Sequence, residues 1–195
     1  MPTSMPTPPP SADGLGVPAM ARRTVALLNA LAQEAGSEHP PSPSAVAEVL
    51  REHGEPGPVE LSAHDVEEMS AAAVSLREVF TADDVDLAAS RLNRLLARST
   101  GRLRLTSHAG TTPWHPHLDS ADDAPWGEWF LASSCLALAV LIWDGRRPPG
   151  GHCASPGCPH VYLAHGSGPT TRRYCSRRCA TRERVAAHRR ARARR

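Results

Sequence analysis

Four cysteines carry the most specific chemistry in this chain. Cys153 and Cys158 form one close pair and Cys175 and Cys179 another, in the order C-x4-C-x16-C-x3-C. Two short-range thiolate pairs are what a tetrahedral Zn2+ requires, because each pair grips the ion from one turn and the second pair closes the sphere. With all four positions taken by protein, no coordination site stays open, so the expected cofactor is one structural zinc ion and no catalytic metal. His152 and His160 stand beside the first pair without a better ligand spacing. Cys135 lies alone in an apolar run and reads as a small buried side chain. Two disulfides are the competing reading. Residues 1–10 show neither a basic lead nor an apolar stretch, so the expected setting is the reducing cytoplasm, where paired cysteines bind metal in preference to each other.

Charge divides the same chain sharply. All 22 basic residues are arginine, and 11 of them fall in residues 172–195 with Glu183 as the only acid, a net +10; the remainder sets 11 arginines against 19 acids, a net −8. A basic end on an acidic body is the asymmetry of a chain that meets a polyanion through that end. Arg172, Arg173, Arg177 and Arg178 flank the second cysteine pair, and Arg182, Arg184, Arg189, Arg190 and Arg192 continue along a helix expected from Cys179 to about Arg194. Such a helix would be ~24 Å long, enough to lie in or across a major groove. These nine arginines are the candidate contacts to double-stranded DNA. Most would grip phosphates, and one or two of Arg178, Arg182 and Arg189 would reach guanine edges. Only Tyr162 and Tyr174 could stack on bases here, which argues against a single-strand platform.

The elements that must hold these groups can be read from periodicity. A chain of 195 residues, 41% hydrophobic, suits one domain and a small appendage. Residues 1–18, with six prolines, read as a disordered leader. A helical domain follows over 19–145. Helices are expected at 19–35, stopped by Gly36; at about 45–54; at 62–80, opened by a Ser62/Asp65 capping box; and from a second such box, Thr81/Asp84, to just before Gly101. Residues 102–107 and 114–118 can pair as a short hairpin. The almost wholly apolar run 125–143, capped by Asp122 or Asp123 and ended by Gly145, is long enough to approach a membrane span. Glu128 and the small polar Ser133 and Ser134 within it favour a central bundle helix, so no membrane is expected. Residues 146–151 read as a linker. Residues 152–195 have too few large apolar side chains for a core, a deficit that metal binding can offset; a hairpin turning at 165–168 is expected between the two cysteine pairs.

At the cysteines the chain resembles the CGNR zinc-finger family, bacterial proteins that join such a finger to an N-terminal helical ABATE domain and are grouped with stress-related transcription regulators. The matching residues are Cys-Ala-Ser-Pro-Gly-Cys at 153–158, Arg-Arg-Tyr-Cys-Ser at 172–176 and Cys-Ala-Thr-Arg at 179–182, with Leu-Leu-Asn at 27–29 in the first helix. Cys179 and Arg182 match the outer letters of the motif that names the family, while Ala180 and Thr181 replace its glycine and asparagine. The resemblance implies a mainly α fold: an ABATE-like helical domain with a short hairpin, then a treble-clef-like finger ending in the basic helix. It also implies a zinc-dependent, non-enzymatic transcription regulator whose helical body takes a ligand. A regulator's need for an input points to a small-molecule effector, with the neighbourhoods of Asn29 and Trp114 as places for it, and the sequence leaves the oligomeric state open, a homodimer being one option. Two other functions compete. The finger can bind RNA or an acidic protein. Alternatively, His115 and His117, with His108, Asp119, Asp122 and Asp123 nearby, can hold a metal for an enzyme.

Overall fold

Apolar side chains recurring every three or four residues wind the first half of the chain into α1 (Val17–Ala30), α2 (Pro43–Glu52), α3 (Ala63–Phe80) and α4 (Val85–Leu96). The computed structural model describes residues 16–32, 41–55, 57–98, 101–164 and 172–193. Most of the expected leader, the Gly36 stop and the turn at 165–168 lie outside the described residues. Val17 and Pro18 belong to α1, which places Pro18 in the first turn, where its missing N–H costs nothing. That helix ends sooner than periodicity predicts, as Leu31 turns into the core at 5% exposure.

Capping decides the next two helix starts. The Ser62 hydroxyl accepts the Asp65 amide at 3.1 Å and the Asp65 carboxylate accepts the Ser62 amide at 2.8 Å, closing the predicted box. The second expected box does not form. Asp84 alone caps α4, accepting from the Leu87 amide at 2.8 Å, while Thr81 is the C-cap of α3 and donates its hydroxyl to the Glu78 carbonyl at 2.9 Å. With so short a connection, Thr81 finishes one helix and cannot open the next.

The apolar run forms α5 (Trp126–Gly145), which packs against α3, α1 and α4. It is long and apolar enough to cross a membrane by length and composition; here it supplies the middle of the bundle, burying Phe130, Leu138 and Ile142 among Leu27, Leu28, Met69, Leu76 and Phe80. A Cβ on Gly127 would stand 2.6 Å from the Cβ of Glu68, so the absence of a side chain is what lets α5 approach α3 so closely. Neither Asp122 nor Asp123 caps this helix. Pro125 precedes it, and Asp122 is drawn instead to Arg104 and Thr106. Its left-handed terminal residue is Arg146, φ 51°, one place beyond the glycine expected to end it. Between α4 and α5, β1 (Arg104–Thr106) and β2 (His115–His117) pair antiparallel with Leu105 opposite Pro116, as predicted.

The second hairpin corrects the sequence reading. Val161, Tyr162 and Leu163 pair backwards, with Gly150–His152, while the turn expected at 165–168 lies outside the described residues. The resulting strands are β3 (Gly150–His152) and β4 (Val161–Leu163), so the last two residues of the expected linker are in a strand. Glycine is needed there because any side chain on Gly150 would meet the Tyr162 carbonyl and the Phe80 ring. β4 lies on α1, and Val161 is fully buried in the same core as Leu28 and Phe80. The Asn29 side chain completes its edge, accepting the Val161 N–H at 2.8 Å and donating to the Val161 carbonyl at 3.1 Å. Arg77 adds a bond to the Pro159 carbonyl at 2.6 Å and another to the Leu28 carbonyl. Last comes α6 (Arg177–Ala193), whose only buried residue is Cys179.

Asn29→Ala should cost about 2–5 kcal/mol in chemical denaturation, because it leaves a strand amide and a carbonyl unpaired beside the core. Ser62→Ala should cost about 1 kcal/mol. Its bonds to Ser62 hold the Asp65 carboxyl below the usual carboxylate range, so the box's contribution is present at neutral pH and is lost as pH falls through that lowered value. The wild type should therefore lose part of its advantage over the variant on acidification, and a gap that stays constant would contradict the pairing.

Candidate metal centre and nucleic-acid interface

The turn Cys153–Cys158 folds back because Gly157 adopts φ 72° and the Cys158 amide reaches the Ser155 carbonyl at 3.0 Å. The Cys153 amide bonds the His160 carbonyl at 2.9 Å, and the Ala154 amide bonds the Arg173 carbonyl at 2.7 Å, which draws the second cysteine pair against the first. The hydroxyl of Ser176 accepts the Cys179 amide at 3.2 Å and fixes the first turn of α6. The hairpin and first pair are followed by Cys175 and then by α6, which carries Cys179 in its first turn, in a treble-clef-like order.

The four sulfurs converge, all within 4.8 Å of one another. Cys158 and Cys175 are 3.7 Å apart, Cys175 and Cys179 3.7 Å, and Cys179 and Cys158 3.8 Å. A tetrahedral ion at about 2.3 Å from each sulfur places the sulfurs about 3.8 Å apart. A disulfide needs about 2.05 Å, and all four are free thiols. The residues therefore fit the group. Burial pushes the Cys175 thiol up to about 12, whereas the Ser176 hydroxyl holds Cys179 down to about 7. Four thiolates this close repel one another unless a cation sits among them. The His160 ring reaches to 3.9 Å from the Cys175 sulfur and lies outside the four-sulfur cluster. Cys135 is buried in the bundle, its thiol pushed up to about 12 by desolvation, as an inert core residue should be.

A match to the CGNR zinc finger model covers residues 151–193, and a match to the ABATE model, described as "Putative stress-induced transcription regulator", covers residues 21–145. The chain belongs to the ABATE family and ends in a CGNR zinc finger. Among curated proteins none matches it. Both families are of the regulator and zinc-finger kind, not an enzyme class.

In this ABATE-family protein the nine candidate arginines are all exposed, yet they divide into two sets. Arg172 donates to the Tyr174 carbonyl at 3.0 Å and the Cys175 carbonyl at 2.6 Å and lies over the Tyr162 ring. Arg173 covers Tyr174. Arg182, expected to be a base reader, donates through Nε and Nη2 to the Ser155 hydroxyl at 3.0 and 2.6 Å. That hydroxyl in turn donates to Glu183 at 2.8 Å. These groups brace the finger. No carboxylate among the described residues pairs with Arg177, Arg178, Arg184, Arg189, Arg190 or Arg192.

Spacing alone missed Ser155 and Glu183. The signal for Glu183 is its isolation as the one acid among residues 172–195. Of the two places proposed for an effector, Asn29 is engaged by Val161, and Trp114 stands 72% exposed outside the cavity formed beside β2.

Exhaustive chelation of the intact chain should expose Arg177–Arg192 to trypsin while residues 17–145 stay protected, since the finger loses a metal contribution of ~10–16 kcal/mol apparent and the bundle has its own core. A cleavage pattern unchanged after complete metal removal would count against a structural ion.

Proposed function

We propose that this protein binds double-stranded DNA through its finger and α6, as a transcription regulator whose helical body receives the signal. The four thiolates of Cys153, Cys158, Cys175 and Cys179 would hold one Zn2+, which when bound supplies a cross-link in place of a hydrophobic core. The carrying observation is the surface of α6: six unpaired arginines are presented outward, while the one acid of the segment is turned in to Ser155 at 16% side-chain exposure. The helix shows solvent an unbroken positive potential.

A bare helix of this charge destabilises itself by repulsion between neighbouring turns. Anchoring its first turn through Cys179 and Ser155 offsets that cost, and phosphates remove it by neutralisation with release of counterions. The 17 residues of α6 span about 26 Å, enough to follow a major groove. Arg178 and Arg189 return to nearly the same face after eleven residues at about 100° each, so they are the pair best placed to reach base edges, with Arg177, Arg184, Arg190 and Arg192 on phosphates. Arg172, Arg173 and Arg182 act by keeping the finger rigid.

Titration of the full chain with duplex DNA should give a log affinity falling linearly with log salt, with a slope no steeper than about −5 for six contacts. The double change Arg184→Ala/Arg190→Ala, at two of the phosphate positions, should flatten it by about 2 without lowering stability. No binding to duplex DNA, or a salt-independent affinity, overturns the reading; equal competition by duplex RNA would move it to the RNA-binding alternative.

A further inference from the structure

The polar residues set aside for an enzyme site are brought together by the fold. His115 and His117 lie on the same side of β2, two residues apart, and the turn after β1 returns His108 beside them. The three rings pack at centroid separations of 4.8–5.1 Å. Their Nε2 atoms face one another: His115 is 3.3 Å from His108 and 3.0 Å from His117. The opposite edges have acceptors. His117 Nδ1 meets both Asp119 oxygens at 2.9 Å, His115 Nδ1 meets the Pro113 carbonyl at 2.8 Å, and His108 Nδ1 stands 3.5 Å from Asp122. An acceptor at Nδ1 keeps the proton there and leaves the lone pair on Nε2, so three lone pairs point into one small space. A single proton between two rings satisfies one contact and leaves the other repulsive.

The supports of this cluster are themselves held in place. Arg104 bridges Asp119, at 2.7 Å, and Asp122, so the carboxylates behind two of the histidines share one cation. Asp119 is buried, at 2% exposure. Thr106 donates to Asp122 at 2.8 Å and accepts the His108 amide at 3.1 Å. His108 and Ala109 take left-handed backbone, φ 45° and 57°, a conformation that costs side-chain-bearing residues about 1–3 kcal/mol each and persists where the surroundings impose it.

We propose that His108, His115 and His117 form a second metal site, open on one side, which takes a divalent transition-metal ion through three Nε2 atoms. An ion about 2.0–2.1 Å from each nitrogen sets the nitrogens about 2.8–3.4 Å apart, from octahedral to tetrahedral angles; the two separations from His115, 3.3 and 3.0 Å, fall in that range, and all three ligand atoms lie within 4.8 Å of one another. Imidazole donors suit the zinc, cobalt, nickel and copper class, while magnesium and calcium demand oxygen. All three histidines line a cavity of about 430 Å3 whose other walls include Glu55, Trp129 and Arg23. Arg23 pairs with Glu55 at 2.8 Å and lies over the Trp129 ring. The remaining coordination positions therefore open toward a partly apolar chamber with a cation at hand, as in sites that keep a position for water or an anionic ligand. This site is independent of whether α6 binds DNA.

The test uses the full chain with its finger already filled with Zn2+, dialysed against Co2+. About one Co2+ per chain should bind, with visible absorption but no thiolate charge-transfer band, and should broaden the ring resonances of His108, His115 and His117 in the wild type, a readout that needs no variant. His115→Ala and His117→Gln should each abolish uptake, with the zinc content and unfolding midpoint of each checked alongside. Lack of Co2+ uptake by the wild type, uptake with a thiolate band, uptake that survives in both folded variants, or ring signals of the three histidines untouched by Co2+ would overturn the site.

Discussion

The paired hydrogen bonds between the Asn29 side chain and the backbone of Val161 are the hinge on which this architecture turns. A two-stranded hairpin is marginal by itself. β4 escapes that limit because an amide side chain from α1 stands in for a third strand on its outer edge and because Val161 is sunk in the bundle core. Finger and body thereby share one interior, and the metal-binding end is not a bead on a flexible string. Arg77, which reaches both the Pro159 carbonyl and the Leu28 carbonyl, ties the same three elements from the other side.

From that junction the logic of the finger is one of substitution. The described residues of 150–193 contribute few large apolar side chains to the interior: Val161 is fully buried, and Cys153 and Cys179 are buried as members of the sulfur cluster. What a core would do elsewhere is done by four sulfurs at the mutual distances a tetrahedral ion imposes, by the Arg182–Ser155–Glu183 chain of hydrogen bonds, and by arginines laid over Tyr162 and Tyr174. The same residue type serves two ends. Arg172, Arg173 and Arg182 find backbone carbonyls, rings or the Ser155 hydroxyl to hold, whereas Arg177, Arg178 and the arginines farther along α6 present their charge outward.

The bundle follows a different economy, with α5 as its axis. α1, α3 and α4 each lay an apolar face against it, while α2 packs on α1 and α3, and a polar pair inside the bundle is matched where Thr24 bonds Ser134 across the α1–α5 contact at 3.1 Å. Around the β1–β2 hairpin the arrangement changes again: charged and imidazole groups are concentrated beside the Trp129 end of the cavity, supported by Arg104 and a strained turn.

Much could be read from residue order because the signals involved are local. Two cysteine pairs with four and three residues between their members, a serine three before an aspartate, and leucines at helical intervals each act within a turn or two, and the structure has them as read. Where local signals competed, tertiary context chose. Thr81 could cap either helix and finishes the first; Gly150 and Gly151 looked like a joint and became a strand, because only glycine fits between Tyr162 and Phe80. The convergence of His108 on His115 and His117, and the division of the arginines into braces and exposed charges, belong to no sequence interval. They depend on which strand edge meets which, on where a left-handed turn returns the chain, and on the distance from each guanidinium to the nearest carbonyl. Sequence by itself determined the ligand types, the helices and the sign of the charge; folding decided which of those groups are used up inside the molecule and which face outward, because that choice is made by contacts between segments far apart in the chain.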